Sequence, residues 1–103
     1  MSVPKMAMVV PHTLGTEEAL KRIQGMLEEL KREHGDRVTD LREQWRGERG
    51  EFSLKAMGFA VSGSLDVLPA EVRIAGELPW SAKPFQGRIE GLIRERAERL
   101  LAG

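Results

Sequence analysis

Hydrophobic and polar positions along the chain change their period twice. KMAMVV, Lys5 to Val10, is a short apolar run between Pro4 and Pro11 and reads as a first strand. A helix is expected from Gly15 or Thr16, with Glu17 and Glu18 at the positive end of its dipole. Ala19, Ile23, Met26, Leu27 and Leu30 then recur at three- and four-residue steps, and His34-Gly35 closes the helix. Glu17–Lys21, Glu18–Arg22 and Glu28–Arg32 are spaced for ion pairs along its polar side.

Beyond Gly35 the period falls to two. Leu41 and Trp45 share one face of VTDLREQWR, and the glycines of RGERG supply a turn. Phe52, Leu54 and Ala56 alternate with Glu51, Ser53 and Lys55; a second turn is expected at Met57-Gly58. Phe59, Val61, Gly63, Leu65 and Val67 face one way in the next strand, and Ala60, Ser62, Ser64 and Asp66 the other. After a turn at Pro69-Ala70, EVRIAGEL places Val72, Ile74, Gly76 and Leu78 on one side. A loop, LPWSAK, leads to Pro84 in the first turn of a last helix. Its apolar stripe is Phe85, Ile89, Leu92, Ile93, Ala97, Leu100 and Leu101, with Glu90–Arg94 and Glu95–Arg99 on the polar side. The pattern predicts an α+β two-layer sandwich of order β-α-β-β-β-β-α. An antiparallel sheet carries two amphipathic helices on one face, in a single domain spanning residues 1–103.

Composition narrows the function classes. Sixteen Lys and Arg balance sixteen Asp and Glu, so no net field draws the protein to nucleic acid or anionic lipid. Without cysteine there is no disulfide or thiolate site, which fits a reducing cytoplasm. No signal-peptide pattern is evident, and no apolar run approaches the roughly 20 residues of a spanning helix, so membrane insertion is not expected.

Against 31% charged residues, AMGFAVSGSL, Ala56 to Leu65, carries no charge. Its outward positions are small, which leaves either ordinary solvated sheet or a partner surface formed by Met57, Ala60, Ser62 and Ser64. Trp80, between Pro79 and Ser81, either covers the core edge or anchors an apolar partner, beside Met57 or Phe85. Gly63 and Gly76 either admit a helix at close range or, with Leu65 and Ile74, line a ligand cavity.

Candidate chemistry is sparse. No phosphate loop, paired-histidine metal motif or nucleophile elbow occurs, so no catalytic residue, cofactor or metal is expected. His12 is read as bonding loop backbone, with general-base work the alternative. His34 is read as a helix-end residue. Glu43 falls on the same face as Leu41 and Trp45, which calls for a sheet margin, a bulge or an arginine partner, or else marks a functional acid.

VPHTLGTEEALKRI at residues 10–23, Trp45-Arg46-Gly47, FSLKAMGFAVSGSLDV at 52–67 and GELPW…PFQGRIE at 76–90 resemble a family of small bacterial proteins of the polyhydroxyalkanoic acid (PHA) system. The resemblance spans nearly the whole chain. It implies bacteria that store carbon as polyester granules, a gene commonly near the polymer synthase, and no established reaction. It suggests a cytoplasmic, granule-associated accessory protein whose partners are the granule surface, the synthase or a phasin. The granule-coating phasins themselves are mainly long helices, unlike this pattern. A carrier of a small apolar or acyl ligand is the alternative. A homodimer through a strand edge also stays open, because the sequence does not choose the edge.

Overall fold

The computed structural model describes residues 5–102. Strands β1 (Lys5–Pro11), β2 (Val38–Arg46), β3 (Arg49–Ala56), β4 (Phe59–Val67) and β5 (Glu71–Glu77) form one antiparallel sheet in the order β1-β5-β4-β3-β2. The first strand thus closes on the last, and β1 and β2 are the two edges. Helices α1 (Gly15–Ile23), α2 (Met26–His34) and α3 (Gln86–Leu101) provide the apolar stripes that cover one sheet face, completing the expected α+β sandwich.

Alternation places the core. Met6, Met8 and Val10 of β1, Val61, Leu65 and Val67 of β4, and Val72 and Ile74 of β5 are buried against Ile23, Leu27, Leu30, Ile89, Ile93 and Leu101. Burying one such aliphatic side chain contributes roughly 1.5–3 kcal/mol. Arg22 locks two helices together: its guanidinium donates to the carbonyls of Leu100 and Ala102, each at 3.0 Å, which would otherwise be orphaned at the end of α3.

Three expectations are corrected. The single first helix is two, because Gly25, a poor helix former, adopts φ −94° and ψ −2° at the break. The segment Trp80–Phe85 is a 3₁₀ helix, not an open loop, and contains Pro84, so α3 starts only at Gln86. Phe85 leaves the buried stripe: it is 38% exposed and its ring lies 5.5 Å from that of Phe59. Ala82 enters the core in that stretch instead.

The edge strand β2 carries a bulge. Its pairing with β3 slips between Thr39 and Arg42, and Asp40 takes a left-handed φ of +52°. The extra residue keeps Val38 and Leu41 both turned toward the helices although they are three apart. The β3–β4 hairpin turns on Met57 and Gly58, both at positive φ (55° and 86°), which matches the right-handed strand twist.

An uncharged strip on the open sheet face as the candidate functional site

The face of the sheet away from the helices is uncovered. Its cross-strand neighbours follow from the register. One row runs Ala7, Ala75, Ser64, Glu51, Gln44, and the next runs Lys5, Glu77, Ser62, Ser53, Arg42. Ala60 precedes Ser62 by two residues along β4 on the same side. Ala7, Ala75, Ser64, Ser62, Ser53 and Ala60 therefore make one strip of small uncharged side chains across four strands. An open groove of about 390 Å³ runs over its β1–β5–β4 part. Glu77 and Glu51 directly adjoin Ser62 and Ser64, while several of the other charges around the strip are turned on one another. Arg49 holds Asp66 at 2.9 Å, Arg73 holds Glu71 at 2.7 Å and Lys55 meets Asp40 at 3.5 Å.

The anticipated surface residues thus divide. Ala60 and Ser62 are exposed and Ser64 half-exposed on the strip. Met57, by contrast, is half-buried against the core at its turn. Trp80 is 48% exposed, and its ring is covered on one side by the Lys83 ammonium, 5.0 Å from the centroid. Trp80 begins the 3₁₀ segment three residues after Glu77, the β5 partner of Ser62. Alternation revealed the β4 part of this surface. Ala7, Ala75 and Ser53 were missed, because only the sheet order shows that they adjoin it.

The alternative reading of a ligand cavity between sheet and helices at Gly63, Leu65, Ile74 and Gly76 meets solid packing instead. Leu65 and Ile74 are each 1% exposed within solid core. A Cβ on Gly63 would stand 2.0 Å from the Ala75 carbonyl oxygen, and one on Gly76 would stand 2.8 Å from the Met6 methyl. The missing side chains admit a neighbouring strand and Met6, not a helix, and the same two glycines line the open groove on the uncovered face. An apolar void does exist between α2, α3, β2 and β3, lined by Leu30, Leu54, Ala56, Ile89 and Leu92, but it measures about 20 Å³. Small-molecule sites run to about 300–1,000 Å³.

The titratable candidates do not converge on a catalytic arrangement. The ring of His12 is engaged on both sides by loop backbone, at Leu68 and Leu14. His34 lies at the end of α2 beside Glu33, Glu95, Arg96 and Arg99, where Glu33 and Arg96 form an ion pair. Among the described residues no group of three His, Asp or Glu side chains is placed to hold a metal, and no helix is long and apolar enough to cross a membrane.

Glu43 sits on the inner face of β2, as alternation expects, and its Oε1 is buried without a hydrogen-bond partner in the protein. Burial pushes its carboxyl above the usual value of 4.5 and the nearby Glu28 carboxylate adds to the rise, against a lowering by the Trp45 indole. A carboxyl whose folded-state pKa is raised favours folding most when protonated. That contribution is full below about pH 4.5 and is lost as the pH climbs through the raised value. Glu43→Leu is expected to stabilise the protein by about 1 kcal/mol at pH 7 and to flatten this fall. Urea unfolding at pH 4 and pH 7 checks it; a variant less stable than wild type at pH 7 rules out an uncompensated carboxylate.

Comparison with solved structures finds a likeness to TTHA0849 from Thermus thermophilus, with a TM-score of 0.58 and 18% identity over 95% of this chain and 92% of that one. At that identity the likeness concerns the fold alone. None of the curated proteins matches the chain. A family model described as "Putative polyhydroxyalkanoic acid system protein" matches residues 7–101, and the chain belongs to that family.

Proposed function

We propose that the protein is a non-enzymatic accessory component of polyhydroxyalkanoate storage that acts by docking its open sheet face on the granule surface or on a granule protein. The observation that carries this reading is the strip itself. In a chain with 32 charged side chains among 103 residues, six neighbouring outward positions on four strands carry none. Family membership supplies the polyester setting. Apolar contact contributes roughly 25 cal/mol per Å² removed from water, so a few hundred Å² offers several kcal/mol before the cost of association. Small side chains suit a flat partner, since nothing projects to hold it off. Trp80, exposed in the 3₁₀ segment between β5 and α3, is an aromatic side chain of the kind enriched at interfaces.

The test is a tagged copy in polymer-accumulating cells, followed by granule isolation. Wild type is expected with the granules, and Ser64→Lys/Ala75→Lys, which charges the strip's centre without touching the core, is expected to move to the soluble fraction. Recovery of wild type only in the soluble fraction, with neither synthase nor phasin co-purifying, removes the reading.

A further inference from the structure

The edge strand β1 presents a self-complementary set of hydrogen-bonding groups. Three observations fix which residues point outward. Its ladder with β5 continues into His12, whose backbone N–H donates to the Ala70 carbonyl at 2.9 Å. In an antiparallel pair such bonds recur at alternate residues, so even-numbered residues of β1 bond to β5 and odd-numbered ones turn away. Pro11, which has no N–H to give, falls in the outward set. The Lys5 carbonyl, also outward, accepts a bond from the Gln86 side chain at 3.1 Å. The free edge therefore offers the N–H groups of Lys5, Ala7 and Val9 and the carbonyls of Ala7, Val9 and Pro11.

We propose that this edge binds a second copy of itself, two β1 strands pairing antiparallel about a two-fold axis at Met8 to form a continuous ten-stranded sheet. In that register Ala7 faces Val9 of the second copy and exchanges both bonds with it. The Lys5 N–H meets the opposite Pro11 carbonyl. The one group left over is the Lys5 carbonyl, which faces a proline unable to donate, and that carbonyl is the one Gln86 already satisfies. No outward group is stranded. A register centred on Ala7 sets Val9 against the occupied Lys5 carbonyl. One centred on Val9 leaves the Ala7 carbonyl opposite Pro11.

Side chains agree with this occupant. Edge strands are normally protected by charges, prolines or bulges. β2 has its bulge at Asp40 with Arg42 and Arg46 outward, whereas Met6 to Val10 has none of these devices. Val9, 50% exposed, would be covered by Ala7 of the second copy. Lys5, the only charge on the strand, faces the far end of the opposite one, so the two ammonium groups stay apart.

Beneath the sheet, α3 starts beside Lys5. Its flank toward α2 carries Arg96, ion-paired with Glu33. At 100° per residue Gly87 lies half a turn round from Arg96, and Gly91 lies one turn beyond Gly87. A Cβ at either would meet nothing within 4 Å, and neither has positive φ. Both lie about 160° round the helix from buried Ile89, so they keep bare the side of α3 that faces away from the sheet. The pairing also joins the two uncharged strips through Ala7.

Sedimentation equilibrium of the full chain decides the matter. Wild type is expected at twice the 11.5 kDa of one chain. Val9→Pro removes an N–H that makes no bond within a subunit, so its circular dichroism should match wild type while its dimer dissociation constant rises about a hundredfold. Val9→Lys, which keeps the backbone donor, should weaken the dimer at least about tenfold. Amide exchange should show Ala7 and Val9 protected in a concentration-dependent way. A single-chain mass at about 0.5 mM overturns the proposal, and so does a dimer of undiminished affinity in Val9→Pro.

Discussion

Gly63→Ala is expected to lower unfolding free energy by about 3 kcal/mol or more, the largest effect of any single methyl addition to the sheet. The added carbon would stand 2.0 Å from the Ala75 carbonyl oxygen and 2.7 Å from the Gly76 Cα. Both are backbone atoms of the paired strand β5, so no rotamer change relieves the overlap. Relief requires parting β4 from β5 in the middle of the sheet, where Gly63 faces Gly76 and neighbouring bonds hold the ladder. Gly76→Ala gives the contrast. Its nearest neighbour is the terminal methyl of Met6, a flexible side chain, with the Ser62 carbonyl next at 3.1 Å. It should cost about half as much. For a domain of this size 3 kcal/mol corresponds to roughly 12–24 °C in Tm. Thermal and urea unfolding of the two variants check the order; equal losses would mean that strand approach is not what selects glycine at position 63.

How far the chain could be read in advance depended on whether a feature is local. The inward set of β4 and β5 was legible because each strand alternates strictly, and Val61, Leu65, Val72, Ile74 and Leu78 are all 2% exposed or less. The break at Gly25 was hidden for a physical reason. Ile23, Met26, Leu27 and Leu30 keep one apolar stripe across it, so the hydrophobic period runs on while the backbone does not. The bulge at Asp40 left a trace, Val38 and Leu41 standing three apart in a strand of period two. For Gly63 and Gly76 the sequence recorded only missing side chains; whether a helix, a ligand or a strand fills that space depends on tertiary packing. The strip's Ala7 and Ala75 and the open β1 edge stayed out of reach for the same reason, since both require that the first strand pair with the last.

His12→Ala is expected to cost about 2–3 kcal/mol, and the loss identifies the residue as a clamp. The imidazole is 7% exposed, the one polar side chain among the described residues that is buried. Its Nε2 lies 2.9 Å from the Leu68 carbonyl and its Nδ1 lies 3.2 Å from the Leu14 N–H. A neutral ring with the proton on Nε2 satisfies both, donating to the first and accepting from the second. With the His12 N–H held by Ala70 at 2.9 Å, the turn after β1 is tied at three points, two of them to the β4–β5 turn 56 residues away. Alanine leaves the Leu68 carbonyl and the Leu14 N–H without partners and opens a void where the ring stood. A general base needs one ring nitrogen free to take a proton from a substrate, and here each is engaged by backbone. The two roles separate in one experiment. The clamp requires a lower urea midpoint with an unchanged m-value, together with faster exchange of the Leu14 amide. A variant within about 0.5 kcal/mol of wild type, with that amide still protected, would leave the clamp without energetic content.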